Sequence, residues 1–466
     1  MTADTDIAYA SAHDLLDLYR SKGSSPVEAV RALLDRIEIL EPKLNAFCIL
    51  DREGALAAAS RSEHRWNTGE PLGPLDGVPV TIKDLVMVRG FPTRRGSRLV
   101  DPVPDPEDGP ATARLREAGA VILGKTTTPE FGWKAIGDSP LTGITRNPWD
   151  LGRTPGGSSA GAAAACAAGI GPLHVGSDGA GSIRIPACFT GIFGIKATFG
   201  RVPAAPPSPM GLLSNVGPMT RNVRDAALML NVLSRPDPRD PYGLAHEPER
   251  DWRHGIEDGV RGWRVAYSPD LSYARVDPEI AASVAAAVRQ FEALGAHVEE
   301  VREVFPSPRE PLLTIWRAGM ARVLAALPHD RHGECDPGFV QGAAEGEGIS
   351  AVEYLAADLA RTQLGQLMGE FHQRYDLLLT PMMPVPALPV GQDINDPAHE
   401  REWIDWSSFS YPFNMTRQPA ATVPCGLTSA GLPIGLQIVG PLYAEDKVLR
   451  AARAFEATQS VRRPPI

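Results

Sequence analysis

Two glycine-rich turns, each ending on serines, are the part of this chain best suited to chemistry. The first is Pro155-Gly156-Gly157-Ser158-Ser159. The second is Gly176-Ser177-Asp178-Gly179-Ala180-Gly181-Ser182-Ile183-Arg184. Glycine in a tight turn lets backbone N–H groups converge on one point. A serine held there is presented as a nucleophile beside donors that can bind an oxyanion. Upstream, Val80-Thr81-Ile82-Lys83-Asp84 supplies a lysine that, once buried, can serve as the base. No His–Asp pair is evident for that task. A phosphate-binding loop would carry its lysine directly after the glycines, and Ser158-Ser159 offers none there. The residues point to acyl transfer.

These groups need elements to hold them. Residues 77–83 alternate, with Val78, Val80 and Ile82 on one face and Lys83 on the other, at the end of a strand. Between the serine turns, residues 160–168 are small on every side, which predicts a helix packed deep among its neighbours. Residues 173–175 predict a short buried strand entering the second turn. Ser25-Pro26-Val27-Glu28 is a capping box with proline at the first helical position, and Val27, Val30, Leu33, Leu34 and Ile37 continue the helical period until Pro42 ends it. A helix at 113–118, capped by Gly119, precedes a strand at 120–123. Residues 223–233 return to helix.

Residues 236–260 are rich in Asp, Arg, Pro and Gly and read as a surface loop. Strand 263–267, helix 278–294 and strand 297–299 form a βαβ-like unit expected at the edge of the core. Helices follow at about 309–326 and 350–373. Strands at 377–380, 422–424 and 436–439 close the chain. Helices alternating with short apolar strands predict an α/β fold, three layers (α/β/α) around a mixed, twisted central sheet. The expected organisation is a single domain over residues 1–466, with a divergent peripheral segment at about 236–375.

Composition narrows the function. The chain has 466 residues, 43% hydrophobic and 22% charged, ample for a large core. Its formal net charge of −10 argues against a nucleic-acid surface. No run approaches the length of a membrane helix. The N-terminus is acidic and lacks a signal-peptide pattern. Cys48, Cys166, Cys188, Cys335 and Cys425 are scattered, as buried thiols of a reducing compartment are, so the expected location is cytoplasmic.

The run from Gly156-Gly157-Ser158-Ser159 through Gly181-Ser182-Ile183-Arg184-Ile185-Pro186 to Gly194-Ile195-Lys196 resembles the hallmark segment of the amidase signature family. Val80-Thr81-Ile82-Lys83-Asp84 resembles that family's catalytic lysine strand. Thr145-Arg146-Asn147-Pro148-Trp149, Gly200-Arg201-Val202-Pro203, Gln418-Pro419-Ala420 and Gly431-Leu432-Pro433-Ile434-Gly435-Leu436-Gln437 also fit. The likeness is strong over roughly residues 73–220 and 411–440 and faint between about 236 and 375; separated blocks agree in order and spacing.

The resemblance implies a Ser-cisSer-Lys triad. Lys83 matches the base, Ser158 the bridging serine and Ser182 the nucleophile, with a cis Gly157–Ser158 bond. The backbone N–H groups of Gly179, Ala180, Gly181 and Ser182 are the expected oxyanion hole. The implied activity is hydrolysis of a small carboxamide to a carboxylic acid plus ammonia or an amine through a serine acyl-enzyme, without a cofactor. The alternative is the amidase subunit of a tRNA-dependent amidotransferase complex. The expected partner is a small-molecule amide substrate, with no nucleic acid and no membrane; a homodimer is left open. Two departures from the family pattern stand out. Ala180 replaces a common glycine, and its methyl either narrows the acyl site or strains the turn if φ is positive there. Ala160 replaces another glycine in the first turn.

Other residues have plainer readings. Asp178 and Arg184 flank the nucleophile turn and are expected to brace it by an ion pair. His329, His332 and Cys335 have metal-ligand spacing, but they sit in a polar loop without an obvious fourth ligand, so no metal is expected. Trp133 and Trp316 are the substrate-pocket candidates. Trp406 could join them, but tryptophans commonly fill cores. Cys166 and Cys188 read as small buried apolar residues.

Overall fold

The computed structural model describes residues 7–245 and 250–466. In chain order its strands are β1 (Phe47–Leu50), β2 (Pro79–Lys83), β3 (Val121–Thr126), β4 (Asp138–Ser139), β5 (Gly143–Ile144), β6 (Leu173–Asp178), β7 (Phe193–Lys196), β8 (Asn215–Thr220), β9 (Arg264–Tyr267), β10 (His297–Glu300), β11 (Leu377–Pro381), β12 (Ala420–Leu427) and β13 (Pro433–Val439). β4 and β5 form a small ladder of their own. The other strands form one sheet, in the order β1-β3-β2-β6-β8-β7-β12-β13-β11-β9-β10. Pairing is parallel where β2 lies between β3 and β6, and where β9 lies between β11 and β10. The centre, from β6 through β8, β7, β12 and β13 to β11, is antiparallel. The sheet is therefore mixed, as the sequence predicts.

Alternation along the strands explains the layers. Ile122, Leu377, Leu379, Ala421 and Ile438 share one core with Val80 and Ile82 and with the helices Val223–Leu233, Pro278–Ala293 and Glu445–Glu456. Their strand neighbours point the other way. Val121 and Leu123 pack with the helices Pro26–Leu44 and Ala160–Ala167, while Leu378, Ala420 and Val439 join a core that includes Trp316, Phe409 and Phe413. Thr81 and Lys83 fall on this second side because Val80 and Ile82 occupy the first.

Local signals set many boundaries. The Ser25 side chain accepts the Glu28 N–H and the Glu28 carboxylate accepts the Ser25 N–H, opening the helix Pro26–Leu44. Pro42 does not end it. It sits in the last turn, and termination comes at Asn45, which is left-handed with φ 51°. The helix Pro110–Glu117 starts earlier than expected, with Pro110 in its first turn, and Gly119 turns the chain at φ 88°.

Helices outside the sequence expectations include Pro337–Glu347 and Glu445–Glu456. The first is announced by Asp336-Pro337, an Asp cap before proline like Asp277-Pro278. The described residues of 236–260 are irregular, but Trp252, Ile256 and Val260 are buried in the core, so this loop is not confined to the surface. The βαβ-like unit adds β9 and β10 to one end of the sheet. Among the described residues, no helix is long and apolar enough to cross a membrane.

Candidate active site

Strand β2 delivers Lys83 to the inside of the molecule, where its side chain is fully buried. Lys83 Nζ lies 2.7 Å from Ser158 Oγ, 3.0 Å from both Ser159 Oγ and Ser177 Oγ, and 3.4 Å from Ser177 O. Among the described residues no carboxylate hydrogen-bonds it. Burial therefore dominates and pushes the amine well below its ordinary value of 10.5, while the charge of Asp178 opposes the shift without cancelling it. Next along the chain, Asp84 pairs with buried Lys125 at 2.8 Å, which ties the end of β2 to β3.

Ser158 follows a cis peptide bond after Gly157. The first turn then enters the helix Ala160–Ala167, which is buried along its whole length. Gly161 shows why small residues are needed: a Cβ there would lie 2.1 Å from Ala46 O. The second turn leaves β6 at Asp178. The two turns are stitched together by the Ser159 N–H, which donates to Ser182 O at 3.1 Å. Ser182 is 7% exposed, and its hydroxyl makes no hydrogen bond to Ser158. The structure thus pairs Lys83 with Ser158 directly and sets Ser182 on the adjoining turn.

Asp178 and Arg184, both fully buried, shape that second turn. Asp178 accepts the N–H of Gly181 at 2.7 Å and of Ile183 at 3.2 Å, as well as Arg184 Nε at 2.9 Å. Burial alone would raise this carboxyl. The Arg184 guanidinium, with Lys196 and the Asn414 amide, outweighs burial and holds it well below the usual carboxylate range. The expected brace is therefore a buried pair that organises backbone.

The same carboxylate narrows the expected oxyanion set. The Gly181 N–H is committed to Asp178, which leaves the N–H groups of Gly179, Ala180 and Ser182 without a side-chain acceptor. Ala180 is buried and does not have positive φ, so its methyl strains nothing, whereas Gly181 has φ 120°.

Several neighbours carry no expectation from sequence. Ser159 and Ser177 surround Lys83, and each lies in one of the two serine turns. Ser410 donates to Ala180 O at 2.6 Å, and Asn414 donates to Asp178 Oδ1 at 2.8 Å. Nothing local marks either residue. Gln437 accepts from Arg184 at 2.7 Å and belongs to the C-terminal block 431–437.

Trp133 and Trp316 both line a cavity of about 250 Å³ beside the serine turns, and Trp316 Nε1 donates to Trp133 O at 3.1 Å. Lys83, Ser158 and Ser182 do not line it. Trp406 fills the core, stacked on Phe189. His329 and His332 lie on a short 3₁₀ helix, and Cys335 is buried just after it. No group of three or more His, Cys, Asp or Glu among the described residues could hold a metal ion.

Comparison with known proteins agrees along nearly the whole chain. The family model described as Amidase matches residues 28–449. An acylamidase of Rhodococcus erythropolis is 37% identical over 98% of this chain and 97% of its own length. A glutamyl-tRNA(Gln) amidotransferase subunit of Geobacter metallireducens is 35% identical over 95% and 96%. The crystal structure of a bacterial aryl acylamidase of the amidase signature family superposes with a TM-score of 0.91 at 32% identity, covering 97% of each chain.

Proposed function

The chain belongs to the amidase signature family, and on that premise we propose that it cleaves a small carboxamide to a carboxylic acid and ammonia or an amine through an acyl-enzyme on Ser182. The observation that carries this reading is the 2.7 Å contact of Lys83 Nζ with Ser158 Oγ, both side chains buried. A free lysine has a pKa of about 10.4 and is a poor base at neutral pH because it is already protonated. A lysine buried among hydroxyls, with no carboxylate hydrogen-bonded to it, is uncharged over a wider range and can take a proton.

Ser182 Oγ rotates about χ1 toward Ser158 and gives up its proton, Ser158 passes its own proton to Lys83, and Ser182 attacks the amide carbon. Catalytic hydrogen bonds are often completed only when substrate is bound. The oxygen that becomes negative is met by the Gly179, Ala180 and Ser182 N–H groups. Collapse breaks the C–N bond, and the departing amine receives the proton back through Ser158. Water then attacks the ester, giving up its proton along the same path. Collapse breaks the C–O bond, Ser182 Oγ takes the proton back from Lys83 through Ser158, and the acid leaves.

The test is release of ammonia or amine from a panel of aliphatic, aryl and urea-like amides, with mass spectrometry of the trapped acyl adduct. Undiminished turnover by the Ser182→Ala protein would refute the assignment. A second reading, the amidase subunit of a tRNA-dependent amidotransferase complex, draws on the similarity to the Geobacter amidotransferase chain. Hydrolysis of simple amides by the isolated chain, without partner or ATP, separates the two.

A further inference from the structure

Lys83 Nζ has more hydroxyl neighbours than one proton relay needs. Ser158 Oγ lies 2.7 Å away, and Ser159 Oγ and Ser177 Oγ each lie 3.0 Å away. A neutral amine has two N–H groups and one lone pair, whereas an ammonium has three N–H groups and no lone pair. In the neutral state the lone pair faces the Ser158 hydroxyl when both N–H groups find acceptors elsewhere. Ser159 Oγ and Ser177 Oγ are placed to be those acceptors. Once the proton has moved, the three hydrogens of the ammonium meet three hydroxyl oxygens.

The two flanking serines differ in what else they do. Ser159 Oγ accepts the Ser177 N–H at 3.2 Å and donates to Ser177 O at 3.2 Å. It therefore also ties the start of the helix Ala160–Ala167 to strand β6. Ser177 Oγ has no hydrogen-bond partner besides Lys83 among the described residues. Strand β6 has no need of that hydroxyl, because Ser177 pairs with β8 through its backbone, opposite Val216. Its side chain is buried, and its one contact is with the amine.

Charged groups on the elements around Lys83 have partners of their own. Asp178, next to Ser177 on β6, is the carboxylate whose charge reaches Lys83, and it pairs with Arg184 at 2.9 Å. Asp84 pairs with Lys125 of β3 at 2.8 Å. His174 of β6 meets Thr81 Oγ1 at 2.7 Å, and burial lowers its pKa to about 3, which keeps it neutral. Glu130, on the loop before Gly132, accepts from Ser97 Oγ and the Asp336 N–H, both at 2.6 Å. The helix Ala160–Ala167 offers only Cys166, whose thiol burial pushes up to about 12. Hydroxyl contacts are thus the nearest influence on the amine.

We propose that Ser177 is a positioning residue: its hydroxyl accepts a Lys83 N–H, aims the lone pair at Ser158 and holds the ammonium formed when the proton arrives. The assignment rests on the amidase reading. A bond to the charged form favours that form, so removing the acceptor makes the amine a weaker base.

The test is the pH profile of kcat for butyramide, with melting temperatures, for the wild type and its Ser177→Ala, Ser177→Thr and Ser159→Ala variants. In Ser177→Ala the ascending limb should move about one unit toward lower pH. Its plateau should fall about tenfold, with KM little changed. Ser177→Thr keeps a hydroxyl and should keep the wild-type limb. Ser159→Ala should also lower the melting temperature, which Ser177→Ala should leave near that of the parent. Should Ser177→Ala show no turnover, Lys83 is titrated by NMR in protein carrying [ε-¹³C]lysine, where the same downward shift is expected. A limb or titration in Ser177→Ala that is unchanged or moves to higher pH overturns the assignment and leaves the amidase reading intact. So does a Ser177→Thr limb displaced as far as that of Ser177→Ala. No turnover of any amide by the wild type overturns the amidase reading, and this assignment with it.

Discussion

Arg184 Nη1 donates to Gln437 Oε1 across 2.7 Å, although the two residues are 253 positions apart. The same guanidinium reaches Ser410 O at 2.9 Å, Asn414 Oδ1 at 2.7 Å and both oxygens of Asp178. The second serine turn is therefore held by strand β13 and by the segment 410–414 as well as by its own backbone. A buried cation is tolerated only when each donor is satisfied and a counter-charge is present.

Removing the counter-charge should unsettle the whole arrangement. Asp178→Ala leaves Arg184 fully buried without an anion and frees the Gly181 and Ile183 N–H groups. The expected loss is about 3–5 kcal/mol of stability, read from urea denaturation midpoints. A change within error of zero would mean that the pair does not hold the turn.

On the proposed mechanism, the pH dependence of turnover follows from Lys83. Its amine is depressed well below 10.5 by burial, and only the neutral form accepts a proton. Below the depressed value the amine is protonated and the rate is low; the rate climbs as pH rises through that value and levels off well before 10.5. Lys83→Ala should lower kcat by about 10²–10⁴-fold and flatten the ascending limb. A wild-type rate that falls steadily from acid toward alkaline pH would contradict the role given to the amine.

Gly181 is the position where space and backbone coincide. Its φ is 120°, and a Cβ there would lie 2.5 Å from Ser410 Cβ. Gly181→Ala should cost about 1–3 kcal/mol through overcrowding alone, with added backbone strain, and should depress kcat more than KM because the turn positions Ser182. Ala180→Gly lacks both penalties and should leave melting temperature closer to the parent. Equal melting temperatures for Gly181→Ala and the wild type would show that the turn yields freely.

Lys196 gives a stability signature distinct from the reaction. Burial, reinforced by repulsion from Arg184, lowers its pKa from 10.5 to about 7, with Asp178 and Glu445 opposing. Between those values the unfolded chain binds more protons at this site than the folded chain, so the Lys196 contribution to stability rises with pH. The melting temperature of the wild type minus that of Lys196→Met should therefore increase from pH 7 toward pH 10. A difference independent of pH would contradict the shift.

Much of this site is legible in the chain. The alternation of Val78, Val80 and Ile82 puts Lys83 on the opposite face, and the Ala160–Ala167 helix is too small on every side to sit anywhere but deep inside. The helix Val223–Leu233 has the predicted bounds. Pro42 misleads because proline breaks a helix interior yet is accommodated near an end, and the helix continues to Leu44. The helix Pro337–Glu347 is hidden although Asp336-Pro337 marks its start, because glycines at 338, 342 and 346 weaken its propensity.

The sequence by itself determined which residue types carry the chemistry and which short elements present them, because caps, turns and strand alternation act over a few residues. Only the tertiary structure decided that Ser159 and Ser177 crowd Lys83 and that Gln437 reaches Arg184. Those outcomes depend on a sheet order in which β6 lies beside β2 and β8, with β13 three places beyond β8. Here β6 pairs with β2 and β8, neither of which adjoins it in sequence. The partners of a buried charge are fixed by which strands meet, and no local pattern records that.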